Sequence, residues 1–281
     1  MNGTAPTSQL RIDGQRLWES LMEMAQIGAT EKGGCNRQAL TDLDKQGRDL
    51  FVKWCEEAGC TVTFDEMGNI FAQRLGKNPD LPPVLTGSHL DTQPTGGKFD
   101  GVYGVLAGLE VVRSLNDAGI ETEAPLEVAV WTNEEGARFS PAMIGSGVWA
   151  GEFNLDYAYA REDKEGKTFG DELQRIGYKG DTPAKPRPLA AAFEVHIEQG
   201  PILEAEEKTI GVLSGVQGMY WYDLTLIGQP CHAGPSPMET RRDPFMGLHR
   251  ILDELYKLAA EHGPWARATF GDIRVEPGSR N

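Results

Sequence analysis

Apolar positions recur at helical spacing through residues 13–27, where Leu17, Leu21 and Met24 share a face. Thr41-Asp42-Leu43-Asp44 has the form of a capping box and opens a second helix, with Leu43, Leu50, Phe51 and Trp54 on one side and Gly59 as its C-terminal stop. Short β-rich runs follow at Thr61–Phe64 and 69–74, joined by a turn at Met67-Gly68-Asn69. An apolar run over 83–88 breaks off into the polar loop 89–100. A helix over 102–116 then leads to the apolar strand Leu126–Trp131, which Asn133-Glu134-Glu135-Gly136 cuts short. Residues 191–198 read as one more strand. Strands alternating with helices predict an α/β sheet. Each strand ends in a polar cluster, and in open α/β sheets ligands bind beyond the strands' carboxyl ends.

The pattern changes further along. Residues 151–190 are charged and rich in Gly and Pro, which predicts a helical excursion followed by a loop. Past residue 211 the runs 209–214 and 220–227 alternate like antiparallel strands. Residues 240–262 form an amphipathic helix through Phe245, Leu248, Ile251, Leu252, Leu255 and Leu258, and 268–275 read as another strand. The expected organisation is a domain over 1–210 and a small α+β domain over 211–281.

Composition changes this picture little. The chain has 281 residues and a net charge of −15, which argues against nucleic acid or an anionic membrane as partner, since both demand a basic face. The opening residues carry no apolar signal-peptide core, and no apolar run approaches the length of a membrane span. Cys35, Cys55, Cys60 and Cys231 show no paired spacing and read as free thiols of a cytoplasmic protein.

The strand-end clusters carry the chemistry. His89 lies just past an apolar run, with Asp91 two residues on, placed to orient its ring. Asp100 stands at the start of a helix, where an N-capping role is the plain alternative. A carboxylate held rigidly there can also bridge two cations. Glu134 and Glu135 directly follow a strand, so their side chains diverge; one can bind a metal while the other handles the proton of a metal-activated water. Alternation places Glu194, His196 and Glu198 on one face, and a polar face on a buried strand fits a metal centre. Imidazole and carboxylate donors suit Zn²⁺, Mn²⁺, Co²⁺ or Ni²⁺. His232, beside Cys231, suits an imidazole donor to an oxyanion better than a thiol mechanism, because adjacent extended residues point apart. His249 and His262 read as structural.

Five segments together resemble one family: Gly87-Ser88-His89-Leu90-Asp91-Thr92, Gly96-Gly97-Lys98-Phe99-Asp100-Gly101, Thr132-Asn133-Glu134-Glu135-Gly136-Ala137-Arg138-Phe139, Glu194-Val195-His196-Ile197-Glu198-Gln199-Gly200-Pro201 and Gly228-Gln229-Pro230-Cys231-His232-Ala233-Gly234. They are similar to the metal-dependent amidohydrolases of N-carbamoyl amino acids and related ureido acids, in the aminoacylase-like dinuclear peptidase superfamily. The resemblance implies a catalytic domain with a central mixed sheet flanked by helices, plus a small α+β dimerisation (lid) domain. It implies two divalent cations bridged by Asp100, with His89 and His196 completing one site and Glu135 serving the other. Glu134 would be the acid/base and Asp91 the residue orienting a ligand. Gln199, His232 and Asn281 would hold substrate, with His232 reaching a partner subunit's site in a homodimer.

The same resemblance implies a longer chain. The family's last metal-ligand histidine and its substrate-carboxylate arginine lie beyond the position matching Asn281, so the sequence reads as a C-terminally truncated member. The implied reaction is hydrolysis of an N-carbamoyl-L-amino acid to the amino acid, CO₂ and ammonia. Allantoate or ureidoglycine hydrolysis, dipeptidase or aminoacylase activity, and an inactive metal-binding protein are the alternatives. The histidine at position 196 counts against the peptidases.

Overall fold

The structure, a computed structural model, describes residues 10–279. The chain divides into two compact units between Gly211 and Val212.

The first unit is built on a five-stranded mixed sheet in the order β1-β2-β4-β3-β5. The strands are β1 (Thr61–Phe64), β2 (Ile70–Arg74), β3 (Val84–His89), β4 (Leu126–Trp131) and β5 (Ala191–Phe193). β1, β2 and β4 pair antiparallel, whereas β4, β3 and β5 run parallel. Helices α1 (Gly14–Met24), α2 (Asp42–Glu57) and α3 (Val102–Asp117) contribute most of the helical side of the core; shorter helices α4 (Ile144–Ala150), α5 (Leu155–Tyr159), α6 (Phe169–Ile176) and α7 (Ile202–Ala205) follow. The mixed sheet flanked by helices agrees with the expected architecture.

Burial explains the central pair. β4 is almost wholly buried, as a strand covered on both faces should be. α3 connects β3 to β4 and buries Val102, Val105, Leu106, Leu109 and Val112, each stabilising by roughly 1.5–3 kcal/mol. The chain leaves β3 toward β4 on one side, while β5 flanks β3 on the other. The carboxyl end of β3 is therefore the switch point, where α/β sheets place ligands.

Three local expectations need correction. Thr41 caps α2 by accepting the Asp44 N–H at 3.2 Å, but the Asp44 carboxylate turns to the Leu40 N–H and to Arg48, so the reciprocal half of the box is missing. Leu43 is exposed, and the buried face of α2 instead carries the Asp44–Arg48 ion pair with Phe51, Trp54 and Cys55. The strand expected over 191–198 stops at Phe193, because β5 pairs with β3 only from Val84 to Thr86. His196 therefore sits on irregular chain beyond the strand.

The second unit contains a 3₁₀ turn at Met238–Thr240 and the amphipathic helix α8 (Pro244–Glu261), started by Asp243 accepting the Phe245 N–H. The runs 209–214, 220–227 and 268–275 form no ladder among the described residues. Alternation specifies which side chains share a face but not which edge a strand joins, and Val212, Tyr222 and Ile227 stay exposed. Asn281 lies outside the described residues. No helix among them is long and apolar enough to cross a membrane. Cys35, Cys55, Cys60 and Cys231 are all free thiols.

Both members of the Asp44–Arg48 pair are fully buried, and Arg48 also donates to the Gly68 carbonyl and the Thr132 hydroxyl. Arg48→Met leaves Asp44 charged and unpaired, and should lower unfolding free energy by about 3–5 kcal/mol. The double variant Asp44→Leu/Arg48→Met should lose less than Arg48→Met alone. Urea denaturation of the two proteins measures the difference, and equal losses would remove the pair from the account.

Candidate metal centre

His89 closes β3 and is almost wholly buried. Its Nδ1 lies 2.8 Å from the Asp91 carbonyl oxygen. A carbonyl only accepts, so Nδ1 carries the proton and the Nε2 lone pair faces outward from the strand end. His196 repeats the arrangement: its Nδ1 lies 2.9 Å from the Ile197 carbonyl, which again leaves Nε2 as the lone-pair nitrogen. Both Nε2 atoms approach Asp100 Oδ1, at 3.9 Å from His89 and 3.3 Å from His196.

Asp100 is not the helix cap. Gly101 occupies that position, and the Asp100 side chain turns to the histidines instead. Gly101 has φ +68°, and a Cβ there would lie 2.4 Å from the His89 ring. Only glycine combines that backbone conformation with that contact. A second glycine sets the other wall: a Cβ on Gly104 would fall 2.4 Å from the Val195 carbonyl, so its absence lets the chain before His196 cross the first turn of α3.

Three ligand atoms, from His89, Asp100 and His196, lie within 4.8 Å of one another. Two imidazole nitrogens and a carboxylate oxygen converge there. Asp100 Oδ1 is buried without a hydrogen-bond partner, as is Glu135 Oε1. Convergent unshared pairs and orphaned buried oxygens repel one another and are desolvated, which a divalent cation relieves. The residues fit a metal ion, and the nitrogen and oxygen donors suit Zn²⁺, Mn²⁺, Co²⁺ or Ni²⁺.

The two glutamates come off β4 through a strained turn. Asn133 has φ +55°, and its side-chain amide donates to the Phe139 carbonyl at 2.8 Å. Asn69 braces both sides: its Oδ1 accepts the Thr132 N–H and its Nδ2 donates to the Gly145 carbonyl. Glu134 then reaches His89, with Oε2 3.4 Å from Nε2, while Glu135 turns away and accepts from Gln93 at 2.8 Å. Burial is the main force raising the Glu134 pKa, with Asp91 and Glu135 adding to it and His89 opposing. Burial acts to lower that of His89, yet the surrounding carboxylates, Asp91 and Glu134 foremost, leave it raised.

Asp91 does something other than expected. Its carboxylate stands 4.0 Å from His89 Nδ1, and the ring bonds to its backbone carbonyl instead. The carboxylate accepts the backbone N–H groups of Glu134 and Glu135 at 3.1 and 3.2 Å. Burial pushes its pKa up to about 6.

Of the remaining expected site residues, Gln199 (φ +57°) donates to Asp100 Oδ2 at 2.7 Å. Glu194 accepts from Ser88 at 2.5 Å, and Glu198 accepts the first N–H groups of α7, so the three alternate residues around His196 serve three different tasks. His232 lies exposed in the second unit; its Nδ1 accepts the Gly234 N–H, which makes Nε2 a proton donor. Asn69, Gln93 and Arg37 escaped the sequence reading. Arg37 is buried and donates to the Leu90 carbonyl, fixing the chain between His89 and Asp91.

Several known proteins are similar to this chain. The profile of Peptidase family M20/M25/M40 matches residues 85–277. An N-carbamoyl-L-amino-acid amidohydrolase of Rhizobium meliloti is 55% identical over 277 residues, covering 99% of this chain and 67% of that protein. One from Geobacillus stearothermophilus is 39% identical over 274 residues, covering 96% and 66%. The crystal structure of an amidase of the hydantoinase/carbamoylase family from Burkholderia vietnamiensis superposes with a TM-score of 0.93 at 60% identity, covering 97% of this chain and 66% of that one. The chain thus spans about two thirds of the length of these relatives.

Gly101→Ala should push the His89 ring off the centre. A Co²⁺ titration followed by visible absorption should show affinity reduced at least ~10-fold, the scale of losing a ligand's orientation. Unchanged affinity would mean that His89 is not held by this contact.

Proposed function

The chain belongs to peptidase family M20/M25/M40, and on that premise we propose that it hydrolyses N-carbamoyl-L-amino acids to the amino acid, CO₂ and ammonia. The observation that carries the reading is the convergence of His89 and His196 Nε2 on Asp100 Oδ1, with the Glu134 carboxylate 3.4 Å from His89. The names of the Rhizobium and Geobacillus relatives support the substrate class.

In this proposal His89, Asp100 and His196 would hold one divalent cation, and Glu135 with Asp100 would serve a second. When bound, such cations polarise a carbonyl and make water acidic near neutral pH. The chain's own residues do the rest. Glu134 takes a proton from water as the carbamoyl carbon is attacked, and returns it to the departing nitrogen. Its raised pKa brings it nearer to neutral pH, where a base both accepts and returns protons readily. One water is consumed, the C–N bonds of the carbamoyl group break, and its carbon leaves as CO₂. His232 is assigned as N–H donor to the developing oxyanion of a neighbouring subunit's substrate in a homodimer. Gln199 and Asn281 are assigned to substrate binding, and the cytoplasm is the proposed compartment.

Glu134→Gln should bind cations as the unaltered protein does and lose turnover by at least ~10²-fold, the low end for a general base. Ammonia release from N-carbamoyl-alanine, N-carbamoyl-β-alanine and allantoate, set beside amino-acid release from a dipeptide, tests the substrate class; preference for the dipeptide or allantoate would overturn it. His232→Ala should lower kcat by ~10²–10³-fold with cation binding intact, and an unchanged kcat would remove it from the oxyanion.

A further inference from the structure

Gln93 is an exposed side chain on a fixed piece of backbone. Its neighbour Thr92 is buried, donates its N–H to the Arg37 carbonyl and accepts the Arg37 N–H on its hydroxyl. The Gln93 carbonyl itself accepts from the Thr92 hydroxyl at 2.9 Å and from the Gly96 N–H at 3.2 Å. From this anchored turn the amide Nε2 donates to Glu135 Oε2 at 2.8 Å and lies 3.4 Å from the Glu135 carbonyl oxygen. The other oxygen of the same carboxylate, Oε1, is buried and has no partner.

The glutamine therefore sorts the two oxygens of Glu135. One is occupied by an amide donor at the surface, and the other is left unshared and out of solvent. Without the amide, Glu135 would be held only through its backbone N–H on Asp91, and its side chain would be free to rotate. A donor on one oxygen of a carboxylate fixes its rotamer and leaves the second oxygen to coordinate a cation.

We propose that Gln93 is a positioning residue for Glu135, holding Oε2 so that Oε1 alone is presented to a divalent cation. This rests on the reading of Glu135 as a cation ligand. Gln93 touches neither substrate nor cation in this assignment and acts through Glu135.

The test is calorimetric titration of the purified protein with Co²⁺, comparing the unaltered chain, Gln93→Leu, Glu135→Ala and the double variant, with urea denaturation alongside. Gln93→Leu should weaken cation binding ~10–100-fold, in the same step that Glu135→Ala removes. It should add nothing in the Glu135→Ala background, because the two act as one unit. Gln93→Asn, whose shorter amide falls short of Oε2, should behave as Gln93→Leu does. The urea midpoint should stay within experimental error, since the residue is exposed. Unchanged Co²⁺ affinity in Gln93→Leu, with the Glu135→Ala effect intact, overturns the role of Gln93 and spares the metal centre. Additive losses in the double variant also overturn it. No Co²⁺ binding by the unaltered protein, or no effect of Glu135→Ala, overturns this inference together with the ligand assignment beneath it.

Discussion

A single buried aspartate joins the two halves of the centre. The backbone carbonyl of Asp91 fixes the His89 tautomer at the end of β3, and its carboxylate gathers the Glu134 and Glu135 N–H groups at the end of β4. The two strands are already parallel neighbours in register from Val84–Leu126 to His89–Trp131. Asp91 carries the link between the two strands past the last ladder bonds. The imidazole and the two glutamates thus keep fixed relative positions although they leave different strands. The carboxylate itself is deeply buried, and desolvation raises its pKa to about 6, so its stabilising effect depends on those two donated hydrogen bonds.

Around this link the rest of the site follows from polar side chains bracing loops. Arg37 holds Leu90, Asn69 holds Thr132 and Gly145, and Arg48 holds Gly68 and Thr132. Each is buried, and each makes a hydrogen bond to backbone or a hydroxyl near the strand ends. In a sheet of this kind the apolar core places the strands, while buried amides and guanidinium groups aim the loops. Such loops carry the chemistry because a rigid scaffold positions them.

The parts of this arrangement that depend on periodicity were legible in the sequence. β1 and β4 run where the apolar pattern places them, and β3 and α3 differ by a residue or so at their ends. The residues that converge on Asp100 were legible too, because ligand-type side chains sat just past apolar runs. The bracing residues were not: Arg37, Arg48 and Asn69 look like solvent-facing polar positions until the tertiary fold buries them. Asp100 read equally well as a cap, and only the packing of Gly101 under the His89 ring decides which way its side chain turns. Past residue 211, α8 was legible from its apolar stripe, while the expected strands there find no ladder, since pairing is a non-local property.

The orphaned oxygens of Asp100 and Glu135 have a consequence for the folded state as a whole. Their donors come from the ends of β3 and β4, the start of α3 and the chain beyond β5, so only the native sheet assembles them. A cation that binds this constellation, and not the unfolded chain, shifts the folding equilibrium by mass action. At a hundred times its dissociation constant the shift is about 2.7 kcal/mol, a sizeable share of the 5–15 kcal/mol that holds a typical domain together. Metal supply then becomes a determinant of how much folded protein exists as well as of how fast it turns over.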